Sequence, residues 1–250
     1  MFTDLKNKRV LITGSTAGMG LAAAQAFARQ GAKVGINSHA PSPELEETLA
    51  LLRQNDAEVE FFEADITRTD ECRRLVEDFV ARFGGLDVLG KQRRGARWAR
   101  QSGGPLMTHS TNASWILNAR SALMMTKFAI PHLRASAKAR QETSCVISTG
   151  SIAGREGGGV GAGIYAASKA WLHDIHRNWV KEFTADGIRF NIVSPGTIDT
   201  AFHDGKSDAL REKIAASIPM GRFGYAEEVA PAFLFFASHA CKWLYHRANS

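Results

Sequence analysis

The segment Thr13-Gly14-Ser15-Thr16-Ala17-Gly18-Met19-Gly20 constrains this chain more than any other. It follows Arg9 to Thr13, a short apolar run that fits a strand buried on both faces. It leads into Leu21-Ala22-Ala23-Ala24-Gln25-Ala26-Phe27-Ala28, a run of strong helix formers. A strand that passes through a glycine-rich turn straight into a helix is a phosphate-binding arrangement. Gly14 permits the tight turn, Gly18 lets backbone approach a pyrophosphate, and Gly20 lets the helix pack close to the sheet. The helix N-terminus then turns unpaired N–H groups and its positive dipole end toward the phosphates. Glycine-rich turns are common by themselves, so the flanking strand and helix give this one its meaning.

Helical and strand-like segments alternate from end to end, which predicts an α/β fold. The expectation is a doubly wound parallel sheet of the Rossmann type, with helices on both faces and one domain spanning 1–250. A chain of 250 residues that is 44% hydrophobic can bury a full core. The apolar stretch at Ala232–Ala237 is too short to span a bilayer, and Met1-Phe2-Thr3-Asp4 begins no secretory signal. Cys72, Cys145 and Cys241 are scattered without metal or disulfide spacing. A cytoplasmic protein with no membrane partner is expected.

The chemistry lies further along. Ser151 follows the strand-like Val146-Ile147-Ser148-Thr149, and Tyr165 and Lys169 stand four apart in a helical stretch, on one face. An ammonium one turn from a phenol favours the phenolate, the form a general base needs. With the glycine turn, this set resembles the short-chain dehydrogenase/reductase family over most of the chain. The resemblance implies an NAD(P)(H)-dependent oxidoreductase that interconverts a secondary alcohol and a ketone by hydride transfer. It makes Tyr165 the acid/base, Ser151 the substrate's hydrogen-bond partner, and Lys169 a holder of the nicotinamide ribose. Asn118 matches a fourth catalytic position that supports a water-mediated proton relay. Gly14, Ser15, Gly18, Met19 and Gly20 would surround the phosphates, Asp65 and Ile66 the adenine, and Ile198 and Thr200 the nicotinamide carboxamide. Residues 197–223 match a substrate lid, and a homotetramer is implied. The Ser-to-Tyr spacing is fourteen where relatives more often have thirteen, so the Arg155–Gly163 loop carries one extra residue.

Cofactor choice rests on Asn37-Ser38-His39 at the end of the second strand. A carboxylate there would favour NAD. None is present, so the sequence leans to NADP over NAD, although Ala17 stands where NADP-preferring relatives often carry a basic residue. The small-molecule substrate is left open between 3-oxoacyl thioesters and sugars or polyols. Asp65 has a second reading, as a helix N-cap before Thr69-Asp70-Glu71.

Two segments depart from the family. After Gly85-Leu86-Asp87-Val88-Leu89 a relative reads Val-Asn-Asn-Ala-Gly, whereas this chain reads Gly90-Lys91-Gln92-Arg93-Arg94-Gly95. Coded GGT-AAA-CAA-CGC-CGG-GG and moved one base, those residues become Val-Asn-Asn-Ala-Gly. A one-base move from Cys241 likewise yields Ala-Ser-Gly-Tyr-Ile-Thr-Gly, as the family leads one to expect. Residues from about 90 to about 116, and from about 240 to 250, are therefore read as frame-shifted, with the last strand lost or altered. Lys91-Gln92-Arg93-Arg94 is expected to loop outward, because burying unpaired cations is costly.

These segments also explain the basic balance. Lys91, Arg93, Arg94, Arg97, Arg100, Lys242 and Arg247 supply seven positive charges, and taking seven from the formal +6 leaves −1. The patch is thus no evidence for a nucleic-acid partner. His173, Asp174 and His176 lack a further ligand and are read as an exposed helix face, with no metal. From another class, a catalytically impaired nucleotide-binding module remains the alternative; intact Ser151, Tyr165 and Lys169 argue against it.

Overall fold

The computed structural model describes residues 2–92, 114–159 and 161–241. Six strands form one parallel sheet: β1 (Arg9–Thr13), β2 (Lys33–Ser38), β3 (Val59–Glu63), β4 (Val88–Lys91), β5 (Ser144–Thr149) and β6 (Ile188–Val193). Their order is β3-β2-β1-β4-β5-β6. The chain crosses over after β3, so the ends of β1 and β4 diverge at the centre and open a crevice there.

Helices cover both faces, as the alternating pattern predicts. They are α1 (Gly18–Arg29), α2 (Leu45–Leu52), α3 (Thr69–Phe83), α4 (Ser121–Arg140), α5 (Ala153–Glu156), α6 (Gly163–Phe183), α7 (Asp208–Ala216) and α8 (Ala226–Ala237). Strand alternation sorts the core into two layers. Val10 and Ile12 of β1 pack with Phe27 of α1, Leu49 of α2 and Phe233 of α8. Leu11, pointing the other way, packs with Phe79 of α3, Met125 and Leu133 of α4, and Trp179 of α6. Each layer is a continuous cluster of buried apolar side chains, the condition under which a parallel sheet is stable.

Between β6 and α8 the chain makes a long excursion. Its ends meet where Ile198 bridges Gly224, with Asp199 N donating to Gly224 O at 2.8 Å and Gly224 N to Thr197 O at 3.0 Å. Within it, Arg211 reaches both carboxylate oxygens of Asp199 at 2.9 and 3.0 Å.

The expected outward loop at Lys91 is not what the strand does. Gly90 and Lys91 stay in register with Ile12 and Thr13 on one side and with Ile147 and Ser148 on the other. Lys91 and Gln92 are both buried. The ladder holds the backbone, and the side chain finds a polar niche: Lys91 Nζ donates to Thr126 Oγ1 at 2.7 Å and Ala122 O at 3.3 Å. It also sits 4.5 Å from the centre of the Trp179 ring. Arg93, Arg94 and residues 242–250, where the last strand is expected to be lost or altered, lie outside the described residues, so the sheet described here ends at β6.

Candidate active site

The carboxyl ends of β1, β4, β5 and β6 surround a cavity of about 510 Å³. Four of the residues singled out for chemistry, Asn118, Ser151, Tyr165 and Lys169, line it together with Gly18, Met19, Ile198 and Thr200. The sequence separates these groups by up to 182 positions, from Gly18 to Thr200. The crevice at the centre of the sheet unites them.

On the nucleotide side, Gly14 and Gly18 take positive φ values of 59° and 55°, a region that favours glycine. A Cβ on Gly20 would lie 2.5 Å from Gly14 O and 2.9 Å from Ser15 Cα. Only glycine lets α1 start this close to the turn. The cap position, Ala17, offers no side chain to the first helical N–H groups, and Ala17, Gly18 and Met19 face the cavity. The buried hydroxyls of Thr16 and Thr149 have no hydrogen-bond partner. An uncapped helix start and orphaned hydroxyls fit a dinucleotide, whose pyrophosphate would meet the N-terminus of α1.

Several other expected cofactor residues bond within the protein. Ser15 Oγ donates to Ile12 O at 2.6 Å and accepts from Asn37 N at 3.0 Å, tying the turn to β2. Asn37 is buried, and its Nδ2 donates to Phe62 O, Ala64 O and Ser38 O at 3.0, 3.1 and 3.3 Å. Ser38 Oγ donates to Ala40 O at 2.5 Å, while His39 is exposed. Asp65 Oδ1 accepts from Thr67 N at 3.0 Å and Thr67 Oγ1 at 2.8 Å. The residue at the N-cap of α3 is Arg68, not Asp65. Ile66 packs against the α3 layer.

On the chemical side, Lys169 Nζ donates to Thr149 O at 2.7 Å and lies 5.8 Å from the centre of the Tyr165 ring. Asn118 sits in a π-helical turn, Ile116–Arg120, that runs into α4; such turns often mark functional sites. Its Nδ2 donates to Ser168 Oγ at 2.9 Å, and that hydroxyl donates to Tyr165 O at 2.7 Å. The Asn118 side chain is thus fixed to the helix that bears the tyrosine.

A family model described as enoyl-(acyl carrier protein) reductase matches residues 14–245. The chain belongs to the short-chain dehydrogenase/reductase family. It is similar to the 3-oxoacyl-[acyl-carrier-protein] reductase of Thermotoga maritima, 30% identical over 94% of this chain and 92% of that protein. Among solved structures it is similar to the NADH-dependent reductase A1-R′ responsible for alginate metabolism. Identity there is 58% with a TM-score of 0.87, covering 96% of this chain and 93% of that one. A short-chain dehydrogenase from Burkholderia cenocepacia in complex with NADP superposes at a TM-score of 0.86 with 26% identity, covering 96% and 94%. As a short-chain dehydrogenase/reductase, the chain is an enzyme: an NAD(P)-dependent oxidoreductase acting on CH–OH groups.

Two residues escaped the sequence reading. His173 and His176 do not form an exposed helix face. His176 is buried, with Nε2 2.8 Å from Ser148 Oγ, and burial holds its ring well below the usual histidine range, with Lys91 adding repulsion. His173 is half-buried, while Asp174 between them points to solvent. The signal was available: 169, 173 and 176 share one helical face. No group of metal-binding side chains occurs among the described residues. No helix among them is long and apolar enough to cross a membrane.

Proposed function

We propose that this enzyme uses NADH to reduce a ketone on a sugar-derived compound of alginate metabolism, reversibly with the secondary alcohol. The observation that carries the reading is the convergence of Ser151, Tyr165 and Lys169 on one cavity beside the bare start of α1. When bound, a nicotinamide supplies the hydride. Ser151 donates a hydrogen bond to the carbonyl oxygen, and Tyr165 hands that oxygen its proton. Lys169 favours the phenolate left behind and holds the ribose. Asn118 anchors the path by which the proton is replaced. Residues 197–223 close over the substrate.

The choice of NADH replaces the lean to NADP. The lean rested on a missing carboxylate, but a 2′-phosphate also needs a cation. From 34 to 52 there is no Lys or Arg, whereas Glu44, Glu46 and Glu47 are present. The reductase that is 57% identical is described in complex with NAD. Similarity to 3-oxoacyl reductases supports a second reading, with a 3-oxoacyl thioester as substrate. Exposed Trp115 and Leu123 beside α4 and α6 support assembly of copies through those helices.

Titration with NADH and NADPH, followed by turnover of alginate-derived ketones and a 3-oxoacyl thioester, tests the reading. NADH is expected to bind more tightly, and the sugar-derived ketone to turn over faster. Tyr165→Phe is expected to abolish turnover with NADH affinity within about threefold of wild type, whereas Lys169→Ala loses both. Equal losses of NADH binding in the two variants would refute this division of roles.

A further inference from the structure

The groups behind the cavity are as ordered as those in front of it. Positions 169, 173 and 176 of α6 all meet the end of β5. Lys169 holds Thr149 O and His176 meets Ser148 Oγ. His173 Nε2 lies 3.1 Å from Ser194 Oγ, and it packs so close to Gly150 that a Cβ there would come within 3.0 Å of it. His173 thus spans two strand ends, Gly150 after β5 and Ser194 after β6.

The backbone around it is zipped. Gly150 N donates to Val193 O at 2.7 Å, and Ile152 N donates to Pro195 O at 3.2 Å. Ser151 lies between these two bonds, where the imidazole fits. A Cβ on Gly150 would come within 2.5 Å of Ser194 Oγ and 3.0 Å of His173 Nε2, so glycine is required there for the His173–Ser194 pair to close over the peptide. A neutral imidazole has one N–H and one lone pair, and either can meet the Ser194 hydroxyl. Burial keeps the ring below the usual histidine range, with Arg155 and Arg177 in the same sense and the Ser151 backbone and Asp174 opposing.

We propose that His173 is a positioning residue for Ser151: its ring, anchored to Ser194, fixes the Gly150–Ser151 backbone so that the serine hydroxyl faces the cavity at a set distance from Tyr165. This inference rests on the reading of Ser151 as the substrate's hydrogen-bond donor.

Steady-state kinetics with NADH and the best ketone of the panel test it. His173→Leu is expected to lower kcat by about 10- to 100-fold. Its KM for NADH and NADH-induced rise in Tm are expected to stay within about twofold of wild type. His173→Gln, whose amide again offers a donor and an acceptor, recovers most of the lost kcat. Ser194→Ala lowers kcat by a smaller factor and adds nothing when combined with His173→Leu. The proposal is overturned if kcat falls only in step with NADH binding, if Gln fails to rescue, or if the two effects multiply. Should His173→Leu fail to fold, Ser194→Ala decides, and an unchanged kcat there overturns the proposal. A wild type without turnover on any ketone removes the functional reading and this inference with it; an active wild type matched by His173→Leu removes this inference alone.

Discussion

At the scale of single residues, Asn37 shows how far residue type and residue role diverge. Its place at the end of β2 marks it for the adenosine ribose, yet its amide is spent on three backbone carbonyls. Asn37→Asp would set a carboxylate, with no proton to give, against those oxygens. The variant is expected to lose about 2–4 kcal/mol of stability, read from denaturant midpoints. An unchanged midpoint with a shifted NADH/NADPH ratio would mean that the side chain faces the ribose instead. Ser151, Tyr165 and Lys169 stand out in the sequence by spacing and strand context, and Asn118 only by the family resemblance. The hydrogen bonds of Asn37 and Ser15 were not legible, because sequence does not say which way a side chain turns at a strand end.

At the scale of elements, β1 and β5 follow from short apolar runs, and the glycine turn from its place between a strand and a helix-forming run. The π turn at Ile116–Arg120 does not, since one extra residue per turn leaves no mark in a 3.6-residue pattern. The start of α8 at Ala226 is built around Glu228. Its carboxylate accepts from Tyr225 N at 2.7 Å and from Arg222 at 2.9 and 2.7 Å. These contacts, Arg222 foremost, hold Glu228 down to about 2 from an ordinary 4.5. A carboxylate depressed in the fold contributes stability that is present above its unfolded value and lost as pH falls through its folded one. The Tm gap between wild type and Glu228→Gln should therefore shrink between pH 4.5 and 2. A gap constant across that window would show that the charge on Glu228 is without effect.

At the scale of the whole molecule, the buried Lys91 stands out. Burial pulls its ammonium well below the usual lysine range, with Lys169 adding repulsion. Lys91→Met removes that charge from the central strand, and Thr126 Oγ1 keeps its bond to Ala122 O at 2.7 Å. The variant is expected to gain about 1–3 kcal/mol, read as a higher Tm. Restoring both reading frames, which places Asn at 91, is expected to sharpen the thermal transition and enlarge its response to NADH. If the chain as written already matches the restored one in both respects, those segments are native. The sequence pointed to this strand as unusual but misjudged its path: it reveals the charge of Lys91, not the ladder on either side that holds it inside.

The excursion between β6 and α8 is drawn closed at its ends by the bridge between Ile198 and Gly224. No strand of the sheet passes through it, so its length and composition carry no obligation to the sheet's register. Under the proposed function, in which this excursion covers the substrate, it is in effect a cassette: it can be swapped for another of different shape while the serine, tyrosine and lysine keep their places.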